Sequence, residues 1–309
     1  MRFGDVEYLE SVGKKSFMRL VSQMSLKPPV LIKPNWGSSF CFTEADILDW
    51  TLSSIKGEKI VIESYGWART QEFITTGNMG SKRKSDLRRS DKWFLEYSGI
   101  GEVLEKHNIE FLNITEEKWH NRLTDSEYIK GLVETKYDPV AIDKMYGEVP
   151  QKLYEMQGAT LLSLAKLKIG FNPFPVSLAV KNLFGMIPGP GRWVPYHGRK
   201  NSQIAQSVLD INKVYHSLFD VKGVIEAVFS AEAIEKGMKG SEILKDLGLA
   251  WASQNVFELD AFVSAQFDRP PDEVQYLKHT ADHLGKWSKK IVELGYNNSL
   301  SHLLPVIKN

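Results

Sequence analysis

The chain has 309 residues, 42% hydrophobic and 25% charged, with a net charge of +1. That length buries one large core or two closely packed lobes, and so balanced a charge is not that of a nonspecific nucleic-acid binder. The single cysteine, Cys41, excludes a disulfide within the chain and any iron–sulfur cluster or four-cysteine zinc site built from it alone.

No run approaches the ~20 apolar residues that span a bilayer. The start, MRFGDVEYLESVGKK, lacks the apolar core of a signal peptide. Low cysteine usage suits a reducing compartment, so a cytoplasmic location is expected.

In chain order, residues 1–27 read as one amphipathic helix with Val12, Phe17, Leu20 and Val21 facing inward. Residues 30–32, apolar and bounded by prolines, read as a buried strand ending on Lys33, Pro34 and Asn35. Thr43, Glu44 and Asp46 then start a helix that runs to about residue 55 and is stopped by Gly57. Residues 59–63 form a second strand, turned out through Ser64, Tyr65 and Gly66. A strand–helix–strand unit implies a parallel pair, which brings Lys33 and Glu63 to the same sheet edge, where open α/β sheets bind ligands.

Residues 67–93 are polar and basic: Arg69, Lys82, Arg83, Lys84, Arg88, Arg89 and Lys92 outnumber Glu72, Asp86 and Asp91. The segment reads either as a solvated mobile insertion or as a lid over an anion. A helix over 100–106 and a third strand over 109–114 follow. Residues 118–150 are mixed and polar, a helix starts at Gln151, and 159–164 form a fourth strand. Further on come an amphipathic helix over 201–219, a strand over 220–229, a loop with a short helical turn over 240–248, and a strand over 249–253. A helix over 255–265 carries Asp260 in its early part, as a structural cap more than a catalyst. The last helix begins at Pro270 and Pro271 and packs Tyr276 and Leu277.

The stretch 166–200, KLKIGFNPFPVSLAVKNLFGMIPGPGRWVPYHGRK, contains Lys166, Lys168, Lys181, Arg192, Arg199 and Lys200 and no Asp or Glu. Asn172 and Asn182 add amides, and Gly185, Gly189 and Gly191 with Pro188 and Pro190 build a constrained loop that lets backbone N–H groups approach a ligand. Cations with nothing nearby to neutralise them face solvent or an anion. One reading is an anion site; the other is a buried strand over 176–180 followed by a surface loop with solvated cations. For the lysines and Glu63 at the strand ends, the alternative to a proton-transfer role is a structural Lys–Glu ion pair. His197, beside the basic loop, is the one histidine with a place in such a site. His279 and His283 stand four apart in KHTADHLG, without the Glu of a zinc-protease helix, and read as surface residues. No GxGxxG, GxxxxGK[ST] or GxSxG is present, which removes support for dinucleotide, Walker and hydrolase-elbow readings.

The blocks VLIKPNWG (30–37), IVIESYG (60–66), FLNITEEKW (111–119), YGEVPQKL (146–153), AKLKIGFNPFPVSLAVKNLFGMIPGPGR (165–192) and LDAFVSAQFDRPPDEVQYL (259–277) together resemble domain-of-unknown-function family 362. The resemblance implies a three-layer α/β/α fold with a mostly parallel sheet. In many relatives it also implies attached ferredoxin-type clusters. This chain has no cysteine set for them, so electron transfer would need a separate iron–sulfur partner or a bound flavin. Where relatives commonly carry KLKTH, this chain has Gly170 in place of the His, and the glycine-rich block of a later strand is replaced by FSAEAIEKG.

These readings predict an enzyme acting on a small carboxylate- or phosphate-bearing molecule. Lys168, Lys181 and Glu63 are the expected proton-transfer groups; Lys33, Asn35, Lys166, Asn182, Arg192 and His197 are expected to hold the substrate. The alternatives are a phosphate, nucleotide or RNA binding module, and a redox protein served by an external iron–sulfur partner. No metal and no cofactor is identified, and a homo-oligomer is compatible with the sequence.

Overall fold

The computed structural model describes residues 1–66, 68–76, 83–170, 174–189, 191–234 and 241–304. The strands are β1 (Arg2–Phe3), β2 (Val6–Leu9), β3 (Val30–Lys33), β4 (Lys59–Glu63), β5 (Phe111–Asn113), β6 (Thr160–Lys166), β7 (Lys168–Ile169), β8 (Asp220–Ala227), β9 (Ser230–Ile234), β10 (Ser241–Lys245) and β11 (Leu249–Ser253). The helices are α1 (Lys14–Ser22), α2 (Ala45–Ser54), α3 (Gln71–Thr76), α4 (Lys84–Tyr97), α5 (Ile100–Lys106), α6 (Ile114–Trp119), α7 (Ser126–Glu134), α8 (Gln151–Tyr154), α9 (Ala179–Asn182), α10 (Ile204–Leu218), α11 (Val256–Gln266), α12 (Gln275–Leu284) and α13 (Lys289–Asn297).

Eight strands form one sheet in the order β1-β2-β11-β8-β6-β3-β4-β5. The stretch β8-β6-β3-β4-β5 is parallel, and β11 joins β8 antiparallel. Side chains alternate between the two faces of each strand. Val30, Ile32, Val61, Leu162, Leu164 and Val224 enter one apolar cluster with Phe17, Leu48 and Phe94 of the helices on that side. Leu31, Ile60, Ile62, Leu161, Val221 and Ile225 enter another with Ile129, Ile211 and Leu259. Two cores separated by one sheet make the three-layer α/β/α fold, and burial on both faces explains why β3 is apolar until its last residue. A smaller sheet, β10-β9-β7, stands beyond the end of β6.

Four expectations need correction. The segment 1–27 is a hairpin followed by a shorter helix. Gly4, with φ of 59°, makes the turn, and the alternation of Val6 and Tyr8 seats β2 against β11, where Tyr8 stacks on Trp251. Residues 241–245 are a strand paired with β9 rather than a loop. The run 176–180 turns into helix α9 instead of continuing as a strand. The helix after Pro271 is not the last: it stops before Gly285, and Ser288 Oγ accepts from Ile291 N at 3.2 Å to start α13.

The expected basic insertion 67–93 lies partly outside the described residues, Lys82 included. Within the described part, α4 packs Leu87 and Phe94 into the core, and its Asp91 pairs with the buried Arg69. No helix among the described residues is long and apolar enough to cross a membrane.

Candidate functional site

From β3 the chain moves to β4 and β5 on one side, then returns to β6 and β8 on the other. The connections therefore diverge between β3 and β6, which opens a crevice at the carboxyl ends of these strands. Lys33 ends β3 and Glu63 ends β4. Lys33 Nζ donates to Glu63 Oε2 at 2.9 Å and to Pro34 O at 2.7 Å. Glu63 also accepts from Trp36 N at 3.1 Å and Ser64 N at 2.9 Å. The two side chains are only 1% and 4% exposed. Burial lowers the Lys33 pKa; Glu63 pulls it back up, and Arg192 and Arg69 push it down again.

Asn182 ties the strands together. Its Nδ2 donates to Lys33 O at 2.9 Å and Ser163 Oγ at 3.2 Å, bridging β3 and β6. Its Oδ1 accepts from Asn35 Nδ2 at 3.0 Å. Asn182 is placed by α9, and α9 is placed by Asp260, whose two carboxylate oxygens accept from Ala179 N and Val180 N, each at 2.9 Å. Burial pushes the Asp260 carboxyl up to about 8, against the pull of those two N–H groups. Asp260 is thus a cap, but of a helix far away in sequence rather than of its own.

Lys181, on the same short helix, reaches Ser177 Oγ at 3.1 Å and lies 4.6 Å above the ring of Phe174. Burial lowers its pKa to about 8, with repulsion from Lys168 adding and Glu232 opposing. Lys168 is paired with Glu232 at 2.9 Å. Burial works most strongly against its charge, but Glu232 and Cys41 together outweigh this and the pKa rises. Arg192 Nη1 donates to Ser64 Oγ at 2.7 Å and Ile187 O at 3.1 Å, with the Phe184 ring 5.9 Å from its Cζ. Burial lowers its pKa, yet a guanidinium stays charged. Gly185 is required where it stands: a Cβ there would come 2.7 Å from Lys33 Nζ and 3.0 Å from Glu63 Oε1.

These groups line one cavity of about 270 Å³. Among the described residues its lining cations are Lys33, Lys168, Lys181 and Arg192, and its lining carboxylates are Glu63 and Glu232. Lys33–Glu63 and Lys168–Glu232 are ion pairs. Among the described residues no carboxylate stands within ion-pair distance of Lys181 or Arg192, so the described part of the lining carries an excess of positive charge.

Of the residues singled out in the sequence, Lys33, Asn35, Glu63, Lys168, Lys181, Asn182 and Arg192 meet at this cavity. Lys166 lies elsewhere: it is fully buried between Glu226 at 2.7 Å and Glu44 at 2.5 Å. His197 also stands off the lining, with Nδ1 3.1 Å from Asn201 Oδ1 and its ring edge-on to Phe184. Burial pushes its pKa down to about 4, which leaves it neutral near pH 7. Asn172 lies outside the described residues. Gly170 N donates to Pro175 O at 2.8 Å, and its O accepts from Arg269 Nε at 3.2 Å. His279 Nε2 is 3.1 Å from Gln206 Oε1. Sequence reading missed Glu232, Ser64 and Ser177. The last two carry no signal beyond lying next to the motifs, and Glu232 sits on a strand that went unrecognised.

The model of the family described as "Domain of unknown function (DUF362)" matches residues 30–265, the span that contains every cavity-lining residue named above. No curated protein and no solved structure matches the chain.

Proposed function

The chain belongs to the DUF362 family, and from the geometry of its cavity we propose that it is an enzyme acting on a small carboxylate- or phosphate-bearing molecule. The observation that carries this reading is that Lys181 and Arg192, both without a carboxylate partner among the described residues, line the same cavity at the sheet's switch point. Such cations gain most from an anionic ligand that replaces lost water. Arg192 presents a planar fork suited to a carboxylate or phosphate. Asn35 and Asn182 hold the floor in place.

Lys181 is the group best suited to move a proton. Its pKa of about 8 keeps both amine and ammonium accessible near neutral pH. Glu63, with both oxygens already occupied by Lys33 and two backbone N–H groups, serves as a fixed counter-charge. Lys168, held charged by Glu232, adds to the field on Lys181. This favours proton transfer next to the anionic group, as in isomerase- or lyase-like chemistry.

Native mass spectrometry of protein purified from its source tests the reading. The expected result is a co-purified small anion that is lost in Lys181→Met. A co-purified anion retained in that variant would overturn the assignment of Lys181.

A further inference from the structure

The cavity holds its unpaired charge in two places. Lys181 belongs to α9 and is backed by the Phe174 ring and Ser177. Arg192 belongs to the loop after Gly189 and is backed by the Phe184 ring and Ser64, at the end of β4. Each cation therefore has its own aromatic floor and its own hydroxyl, and the two sets share no residue. The charged surroundings divide in the same way. The field at Lys181 comes from Lys168 and Glu232, and the field at Arg192 from Glu63 and Arg69. Neither cation is the other's main neighbour.

Formal charge gives the size of the demand. Among the described lining residues, the cations Lys33, Lys168, Lys181 and Arg192 against Glu63 and Glu232 leave a formal charge of +2, 4 − 2. A monoanion would leave one buried cation uncompensated, which is costly in a partly desolvated site.

We infer that the ligand is a small dianion whose two charges sit on separate groups, one on the Arg192 fork and one on the Lys181 ammonium. This rests on the anion-site reading above and narrows it. Arg192 Nη1 is given to Ser64 and Ile187, so a carboxylate or phosphate would be held by its Nε and Nη2 edge through two parallel N–H···O bonds, and the Lys181 end takes a point charge. A dicarboxylate meets this demand as it stands; a phosphorylated carboxylate offers the same two separated anionic groups with further charge on its phosphate at pH 7.

Calorimetric titration of the full chain at pH 7 with acetate, inorganic phosphate, succinate and phosphoglycolate tests the inference. Succinate or phosphoglycolate is expected to bind at least tenfold tighter than both single-group probes, and which of the two binds tighter identifies the second group. Lys181→Met and Arg192→Gln are each expected to erase that advantage while leaving single-group binding measurable. Arg192 also supports backbone carbonyls, so Arg192→Lys serves alongside; it keeps the charge, loses the fork, and is expected to weaken the two-group probe by several-fold. Melting curves verify that each variant is folded. Single-group probes that bind as tightly as the two-group probes, and lose equally in both lysine and arginine variants, would overturn the inference while leaving an anion site in place. Failure of all probes to bind the wild-type protein would overturn both.

Discussion

Replacing Lys33 by Met removes one half of a buried ion pair and leaves the other half behind. The partners are 2.9 Å apart and 1% and 4% exposed. At an effective dielectric constant of about 20 that separation corresponds to roughly 6 kcal/mol of attraction. The Trp36 and Ser64 N–H groups hold Glu63 in wild type and variant alike, so they leave the difference unchanged, while relaxation and water reaching the stranded carboxylate recover part of the lost attraction. The expected net loss in Lys33→Met is therefore about 3–5 kcal/mol, the range for an orphaned buried charge. Urea unfolding at pH 7 measures it. Adding Glu63→Gln should recover about half the loss, because the stranded charge is gone. A Lys33→Met protein within about 1 kcal/mol of wild type at pH 7, or a double variant weaker than Lys33→Met alone, would refute this account of the pair.

Gly185→Ala should lower stability by about 1–3 kcal/mol and impair anion binding, because its Cβ collides with Lys33. Gly191→Ala, which meets no atom within 4 Å, should stay within about 0.5 kcal/mol of wild type; thermal unfolding compares them. Anion affinity should fall as pH rises through about 8, where Lys181 loses its proton, and titrations of succinate binding in Lys181→Met should lack that step. For stability the sign is opposite. The folded pKa is depressed below 10.5, so wild type should gain relative to Lys181→Met between pH 8 and 10.5. Lys166→Met should cost about 3–5 kcal/mol by stranding Glu226, yet leave anion affinity within twofold, because Lys166 lies off the cavity. Asp260→Ala should cost about 1–2 kcal/mol through the lost cap on α9 and should weaken anion binding more than that loss of stability alone explains.

The frame of the site was legible because its residues end strands that are apolar to their last position. Lys33 and Glu63 follow runs buried on both faces, and a strand–helix–strand unit leaves them little choice but the same edge. The charge balance was not legible. The stretch 166–200 is free of acids along the chain but not in space: Glu44, Glu226 and Glu232 come from three distant elements to neutralise Lys166 and Lys168. Lys166 and Lys168 look equivalent in sequence. The break between β6 and β7 sends the first into the core and the second to the cavity wall. The role of Asp260 was equally hidden, since a side chain capping another helix leaves no local pattern. The N-terminal hairpin was masked by an apolar spacing that fits both periods until β11 is present to pair with it.

Anomalous diffraction from crystals soaked in selenate locates a bound oxyanion without assuming a substrate. The account predicts that the strongest selenate peak lies in the cavity, within hydrogen-bonding distance of Arg192 or Lys181, and that it is lost from that position when the contacting residue is replaced by Met or Gln. Selenate seated only on exposed lysines and arginines, with the cavity empty at saturating concentration, would contradict the claim that this cavity is an anion site.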